Sequence, residues 1–380
     1  MFITLPLFLL LFGLVGSSFV RFRDPHHPEP LLNVLVRPCS PAPCEGGDVY
    51  VGGQDTLFHL DLGLGLRARV STGPALDSPE CPPPPAPCPD VNRTVAHDRN
   101  RILLLTPEGR MLLNCGTLYQ GMCRLHKADG IASSILVGSP NETVNFVSGR
   151  GSTVAFWGSV GNGSALYAAS TYDDRPPSVE PRLRLQEAPP PREGRIRLPV
   201  DYISGFTHGD YAYFLTTQPV SGESTAYETR LARVCQRDPK FFSYTEVPLA
   251  CRLGGQPYLY NLASSAHLGV ASAALRNRLK LGRSGEAVLF VAFVSALPEH
   301  GRTVDERRGS VICSFPLAAV ETAFANATRD CSKGEPRTFL LKHVVGDDIP
   351  CIARNPPQIP EDDYGDLLVF PDGLCDIQCR

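Results

Sequence analysis

The chain repeats one local pattern five times: a run of strand-forming residues, a tight turn and a second run. The repeats are Asp48–Asp61, Ile102–Gly116, Ser152–Ala169, Asp210–Cys235 and Ala287–Phe315. Their strands are rich in Val, Leu, Phe and Tyr, and their turns in Gly, Asn, Pro and Asp. Hairpins at roughly even spacing bury their faces against neighbouring hairpins, so the pattern predicts an all-β propeller. A pair of β-sandwiches is the alternative, but no long low-complexity linker separates two halves.

Two segments break the strand pattern and predict short helices, Ser265–Leu281 and Pro316–Thr328. The second opens with proline, as a first helical turn often does. In the first, the apolar positions at helical spacing are Leu268, Ala271, Leu275 and Leu279. A basic run lies on and just after this helix and consists of Arg276, Arg278, Lys280 and Arg283. It is interpreted either as a solvated helix face or as a patch for heparan or another ligand.

The first eighteen residues predict export. Phe2–Val15 is almost wholly apolar, and Gly16 and Ser18 are small residues where a signal peptidase acts, so cleavage is expected after about Ser18. The run is shorter than the ~18–20 residues that span a bilayer. No later apolar run approaches that length. We therefore expect an extracellular protein, either secreted or the ectodomain part of a plasma-membrane receptor.

The cysteines and glycosylation sequons agree with export. Thirteen cysteines in an oxidising compartment predict disulfides rather than zinc sites. Two close pairs lie across short loops, Cys81 with Cys88 and Cys115 with Cys123. Four sequons predict N-glycans on surface loops, at Asn92, Asn141, Asn162 and Asn326.

Several function classes lack support in the sequence. The net charge of −3 leaves no electrostatic footprint for nucleic acid. There is no G-x-S-x-G elbow, H-E-x-x-H motif, Walker loop or dinucleotide fingerprint, and the nine histidines are scattered. We therefore expect no enzyme activity, no cofactor and no metal site; a hydrolytic propeller is the least supported alternative.

Two stretches carry a family resemblance. Leu113–Cys123 reads LNCGTLYQGMC, and Tyr202–Cys251 contains two strand runs, a loop, a strand that ends on Cys235 and an aromatic-rich strand that ends on Cys251. Together they resemble the sema domain of plexins and, more distantly, that of the hepatocyte-growth-factor receptor family. The resemblance runs from about Asn33 to about Gly365.

The resemblance implies a sema-type β-propeller, with seven blades in the family and about five here, and the two inserted helices. Residues 1–18 would be the signal peptide and residues 19–380 a sema domain that is incomplete at its C-terminal end. Because sema propellers close their ring with an N-terminal strand in the last blade, we expect Leu32–Val36 to present an unpaired apolar edge and the chain to fold poorly alone.

The resemblance also implies disulfide partners. It pairs Cys251 with Cys313 and Cys331 with Cys351. It would pair Cys235 with a cysteine at the position that Tyr364 occupies, so that Cys375 or Cys379 would have to substitute.

The function implied is that of the extracellular ligand-binding propeller of a plexin-like semaphorin receptor. Semaphorin is the implied partner, a neuropilin co-receptor is left open, and signalling, as in axon guidance, and membrane association would depend on parts that this chain does not contain. A secreted sema-domain decoy without signalling capacity is the alternative. The implied ligand rim is the loop Thr171–Glu180, where the candidate contact residues are Tyr172, Asp173, Asp174 and Arg175.

Overall fold

The computed structural model describes about two thirds of the chain. The described residues are 22–23, 29–37, 46–81, 84, 87–136, 147, 149, 151–160, 163–171, 184–186, 200–220, 224–237, 243–282, 285–297 and 301–332. Within these ranges the chain forms five sheets of three or four strands and one two-stranded ribbon. We call the five larger sheets blades 1 to 5, in chain order.

The strands follow the chain in every blade. Blade 1 contains β1 (Leu31–Arg37), β2 (Asp48–Gly53), β3 (Thr56–Asp61) and β4 (Leu66–Ser71), and the ribbon contains β5 (Ala75–Asp77) and β6 (Thr94–Ala96). Blade 2 contains β7 (Ile102–Leu105), β8 (Met111–Cys115), β9 (Cys123–Lys127) and β10 (Gly130–Leu136). Blade 3 contains β11 (Thr153–Val160), β12 (Gly163–Ser170) and β13 (Arg184–Gln186). Blade 4 contains β14 (Asp201–His208), β15 (Tyr211–Pro219), β16 (Tyr227–Cys235) and β17 (Thr245–Leu249). Blade 5 contains β18 (Leu262–Val270), β19 (Ala287–Val294) and β20 (Ser310–Pro316).

Neighbouring strands within the blades are antiparallel, except that β13 runs parallel to β12. The first strand of each blade contacts the first strand of the next, from β1 through β7, β11 and β14 to β18. Sheets that meet through their innermost strands in this way are the blades of a propeller. The predicted all-β propeller with about five blades is therefore confirmed.

A separate apolar core fills each junction between consecutive blades. Leu112 and Tyr50 belong to the core between blades 1 and 2, and Phe214 and Tyr167 to the core between blades 3 and 4. Between blades 2 and 3, Trp157 packs against the core of blade 2, and its Nε1 donates a hydrogen bond of 2.6 Å to the Leu105 carbonyl. The apolar faces of one blade are thus covered by the next blade, as the hairpin pattern predicts.

Two helices accompany blade 5, as expected, but with different bounds. Helix α1 covers only Ala273–Leu279, and Ser265–Val270 belongs to β18. The prediction of a helix from Ser265 was wrong because this segment pairs with β19 along its length, for example Leu268 with Leu289. Tertiary pairing outweighs a helical spacing that arises from a few apolar residues.

Helix α2 covers Leu317–Ser332, longer than predicted, and Pro316 ends β20 instead of opening the helix. Phe324 is fully buried in the core between blades 4 and 5. The guanidinium of Arg233 lies 4.5 Å from its ring centroid and pairs with Glu321. These contacts dock α2 on blade 4.

The strand at Leu32–Val36 differs from its expectation. It belongs to β1 and pairs with β2, with Val34 opposite Val51, so it is the first strand of blade 1 and not an unpaired ring-closing strand. Val34 and Val36 nevertheless remain 65% and 53% exposed. These side chains point away from Leu35, which packs against the core shared with blade 2.

His126 in β9 makes stability depend on pH. Its Nδ1 donates to the Ile131 carbonyl at 2.7 Å, and burial lowers the pKa of the ring below its usual value of 6.5. The unfolded chain therefore binds this proton more tightly than the folded chain does. The free energy of unfolding should fall as the pH drops below 6.5, where the unfolded histidine becomes protonated.

We predict that this loss is smaller in His126→Gln, in which the amide still donates to the carbonyl but does not titrate. Urea unfolding at about pH 7.5 and about pH 5.5 measures it. The same change in unfolding free energy in both proteins would show that His126 is not responsible.

Candidate protein-interaction edge

The connections of the propeller lie on two opposite edges. Because antiparallel strands alternate in direction, loops that join second to third strands share an edge with segments that lead from one blade to the next. We call this the loop edge. Its described part lies within 54–55, 72–101, 116–122, 171, 200, 220–226, 250–261 and 295–309.

In blades 1 and 2, backbone hydrogen bonds show that the loop between the second and third strands lies beside the segment that leads to the next blade. The amide of Asp55, between β2 and β3, donates to the Asp98 carbonyl at 2.7 Å. The amide of Asn100, just before blade 2, donates to the Gly53 carbonyl at 3.2 Å. A loop of one blade is therefore bonded to the segment that opens the next blade.

The segment 116–122 explains the residue pattern LNCGTLYQGMC. A Cβ on Gly116 would collide with the carboxylate of Asp98, so only glycine fits there. Gly121 has a φ of 83°, which favours glycine. The Gln120 side-chain amide donates to the carbonyls of Ser78 and Cys81, at 2.9 and 3.2 Å. The pattern thus encodes a tight turn that also holds the neighbouring 72–101 segment.

Asp98 is a buried anion at the centre of this turn. Burial raises its pKa, and hydrogen bonds from the backbone of Leu118 and Thr117 and from the Thr72 side chain act against that rise. Its own amide donates to the Asp55 carboxylate at 2.7 Å. The carboxylate therefore collects donors from several segments and fixes their relative positions.

Three disulfides are present among the described residues: Cys81–Cys88, Cys115–Cys123 and Cys251–Cys313. All three are among the pairs expected from the sequence. Cys235 is also disulfide-bonded, while its expected partners Cys375 and Cys379 lie outside the described residues. Cys351, the expected partner of Cys331, lies outside them too, so that pair stays a prediction.

The predicted ligand loop begins from a fixed point. The Thr171 amide donates to the Ser152 carbonyl at 3.0 Å, and its hydroxyl donates to the Val200 carbonyl at 2.8 Å. The Ser152 hydroxyl in turn accepts from the Tyr202 amide at 2.6 Å. Thr171 is therefore tied to the residues that open blades 3 and 4. Tyr172, Asp173, Asp174 and Arg175 lie outside the described residues.

The loop edge of blades 4 and 5 was not predicted from the sequence. Asn261 donates to the Tyr227 carbonyl at 2.6 Å and accepts from the Ala296 amide at 3.2 Å, which joins three loops. Arg302 pairs with Asp201 and lies 5.3 Å from the ring centroid of Tyr227. These partners are far apart in the chain, so no local pattern indicated them.

The same part of the edge as Arg302 and Tyr227 also exposes apolar side chains. Val220, Leu253, Leu259 and Val304 are each about two fifths exposed. Aromatic residues and arginine are enriched at protein interfaces. The chemistry of the edge suits protein contact.

Two of the four predicted glycosylation sites lie among the described residues. Asn92 is exposed in the 72–101 segment. Asn326 is exposed on α2, where its Oδ1 accepts from Arg329 at 3.0 Å. Asn141 and Asn162 lie outside the described residues. Among the residues that the structure does describe, no three His, Cys, Asp or Glu side chains are grouped to hold a metal ion.

Five blades that share cores at their junctions and carry disulfide-tied loops on one edge define the class: a β-propeller. Among solved structures, the chain is similar to the full extracellular region of Plexin A4, with a TM-score of 0.64 and 24% identity over 82% of this chain and 37% of that one. It is also similar to the extracellular domains 1-2 of Drosophila Semaphorin 1b, with a TM-score of 0.50 and 15% identity over 87% of this chain and 60% of that one.

The sequence comparisons identify plexin homologues. The chain is 32% identical to Plexin-B1 of Homo sapiens over 312 residues, which are 75% of this chain and 14% of that protein. It is 28% identical to Plexin-A2 of Mus musculus over 351 residues, 82% of this chain and 18% of that protein. No family model matches. The chain is thus related to plexins through their sema domain, and it spans less than a fifth of the length of these relatives.

We predict that Gln120→Ala lowers the free energy of unfolding by about 1–2 kcal/mol, because the Ser78 and Cys81 carbonyls lose their donor. Limited proteolysis should also cut the 72–101 segment sooner. The control is Gln256→Ala, since Gln256 is exposed in the segment before blade 5. Equal effects of the two substitutions would show that the Gln120 side chain does not hold the 72–101 segment.

Proposed function

We propose that this chain is the ligand-recognition part of an extracellular, plexin-like sema propeller and that it binds a semaphorin-type protein through its loop edge. The observation that carries the proposal is the homology to plexins over three quarters or more of the chain. The preformed contacts of the loop edge support it, because loops held before binding lose less entropy on binding.

The proposed binding surface extends from the loop that follows Thr171 to blades 4 and 5. Thr171, the described residue from which that loop begins, is linked to blades 4 and 5, since it bonds to Val200, and the next residue, Asp201, pairs with Arg302. Tyr172 would supply rigid aromatic area, and the charges of Asp173 and Arg175 would set the register. Neuropilin would act as a co-receptor only if it contacts the same complex.

An extracellular location is part of the proposal. Disulfides persist in oxidising compartments, and the Plexin A4 structure that this chain matches is of an extracellular region. Residues 1–18 would be removed as a signal peptide and residues 19–380 would belong to the sema domain. In the described ranges, no helix has the length and apolar character needed to cross a membrane.

The proposed role is recognition and not catalysis. The resemblance to plexins implies a receptor. The loop edge carries the aromatic, arginine and exposed apolar side chains that are typical of protein interfaces. Membrane attachment and signalling would depend on further parts of a longer receptor. A secreted decoy would bind through the same edge and differ only in its lack of attachment.

The test is binding of the secreted full chain to a panel of semaphorin ectodomains by surface plasmon resonance. We predict that Tyr172→Ala with Asp173→Ala weakens binding by about 1–2 kcal/mol, roughly five- to thirtyfold. Leu259→Asp should weaken it as well, since it places a charge among the exposed apolar side chains of blades 4 and 5.

Glu108→Ala is the control, because Glu108 is exposed in the turn between β7 and β8 on the opposite edge. If no semaphorin binds the folded chain, the proposed function is wrong. If a semaphorin binds and both loop-edge variants retain wild-type affinity, as the control does, the function stands and the loop edge is the wrong site.

A further inference from the structure

A long connection leaves blade 5 on the edge opposite the loop edge. It joins β18 to β19 through residues 271–286 and contains α1. The same connection in blade 4 is only residues 209–210. A turn that joins the first and second strands of a blade needs only two residues. The additional residues in the blade 5 connection are therefore candidates for a function.

The connection is folded and not merely long. The Ser272 side chain caps α1 by accepting from the Leu275 amide at 3.2 Å. Lys280 closes the helix in the left-handed conformation, with a φ of 55°. The Ala271 amide donates to the Glu286 carbonyl at 3.3 Å and joins the two ends. The helix therefore presents its side chains from a defined position.

Three cations lie within five positions of this helix: Arg276, Arg278 and Lys280. In the part of the chain that the structure describes, none of them forms an ion pair. Arginines elsewhere do, as Arg37 pairs with Asp48 and Arg233 with Glu321. The helix itself contains no acidic residue. The three cations therefore have no internal ion pair among the described residues and can bind an external anion.

The placement of the charges favours a flexible polyanion. Arg276 and Arg278 are two positions apart and therefore lie on opposite sides of the helix, while Lys280 lies at its C-terminal end. The other exposed residues of the helix, Ala273, Ala274 and Asn277, are small or polar, and Arg276, Leu275 and Leu279 are half-buried. A protein interface is usually centred on large aromatic or arginine anchors in an apolar pocket, and α1 offers no such centre.

We infer that α1 and its C-terminal residue Lys280 bind a sulfated polysaccharide, whose closely spaced sulfates can reach cations on both sides of the helix. Arginine and lysine side chains both bind such anions, and binding would release counterions from the polymer. Because α1 is on the edge opposite the loop edge, a polysaccharide and a protein ligand would be bound at the same time. This inference does not depend on the proposed semaphorin function.

Heparin is the probe for this site. The secreted full chain should be retained on a heparin column at low salt, and R276A/R278A/K280A should elute at clearly lower salt. Titration should show affinity at least tenfold weaker, and the slope of log affinity against log salt should be less steep by about two to three. R276K/R278K keeps both charges and should retain most of the affinity.

The matched control is R110A/R124A/K127A, which removes three exposed cations from blade 2. Equal melting temperatures would show that all variants are folded. The inference is wrong if wild type is not retained, if both triple variants lose the same affinity, or if anionic lipid vesicles bind wild type and heparin does not.

Discussion

Burial of apolar surface at the junctions between blades is the constraint on which the rest of the structure depends. A single blade has two faces and can cover neither by itself. Leu112 in blade 2 and Phe214 in blade 4 are fully buried because side chains of a neighbouring blade pack on them. At about 25 cal/mol per Å² of buried apolar surface, these junctions supply the main favourable contribution to folding. Each blade thus stabilises the next, as in other repeat architectures.

Polar contacts then fix how the blades are aligned. Asn100 donates to Asn114 at 2.5 Å and accepts from Asn33 at 2.6 Å, which links blades 1 and 2. Thr171 and Ser152 do the same for blades 3 and 4, through bonds to Val200 and Tyr202. Apolar packing alone tolerates sliding, whereas a buried polar group must meet its partner. These contacts lie toward the loop edge, so the same bonds that align the blades also hold the loops from which binding is proposed.

The two edges of the propeller differ in chemistry for this reason. On the loop edge, disulfides and buried polar groups such as Asp98 hold neighbouring segments together, and the exposed surface is mixed apolar and charged. On the opposite edge, the β18–β19 connection stands apart from the blade junctions and carries cations with no internal ion pair among the described residues. The loop edge has the chemistry of a protein interface, and α1 on the opposite edge has the charge of an anion-binding site.

The sequence by itself determined the all-β class, the number of hairpins and the close cysteine pairs, because alternation, turn residues and short loops are local properties. It located the Gly116–Gln120 turn through its residue pattern, although the reason for Gly116 is the carboxylate of Asp98 in another segment. Only the tertiary structure decided that Ser265–Val270 is a strand, that Leu32–Val36 opens blade 1, and that Arg302 meets Asp201 and Tyr227. Those outcomes depend on which distant segments pair, and the free energy of pairing is set by neighbours that a local pattern does not contain.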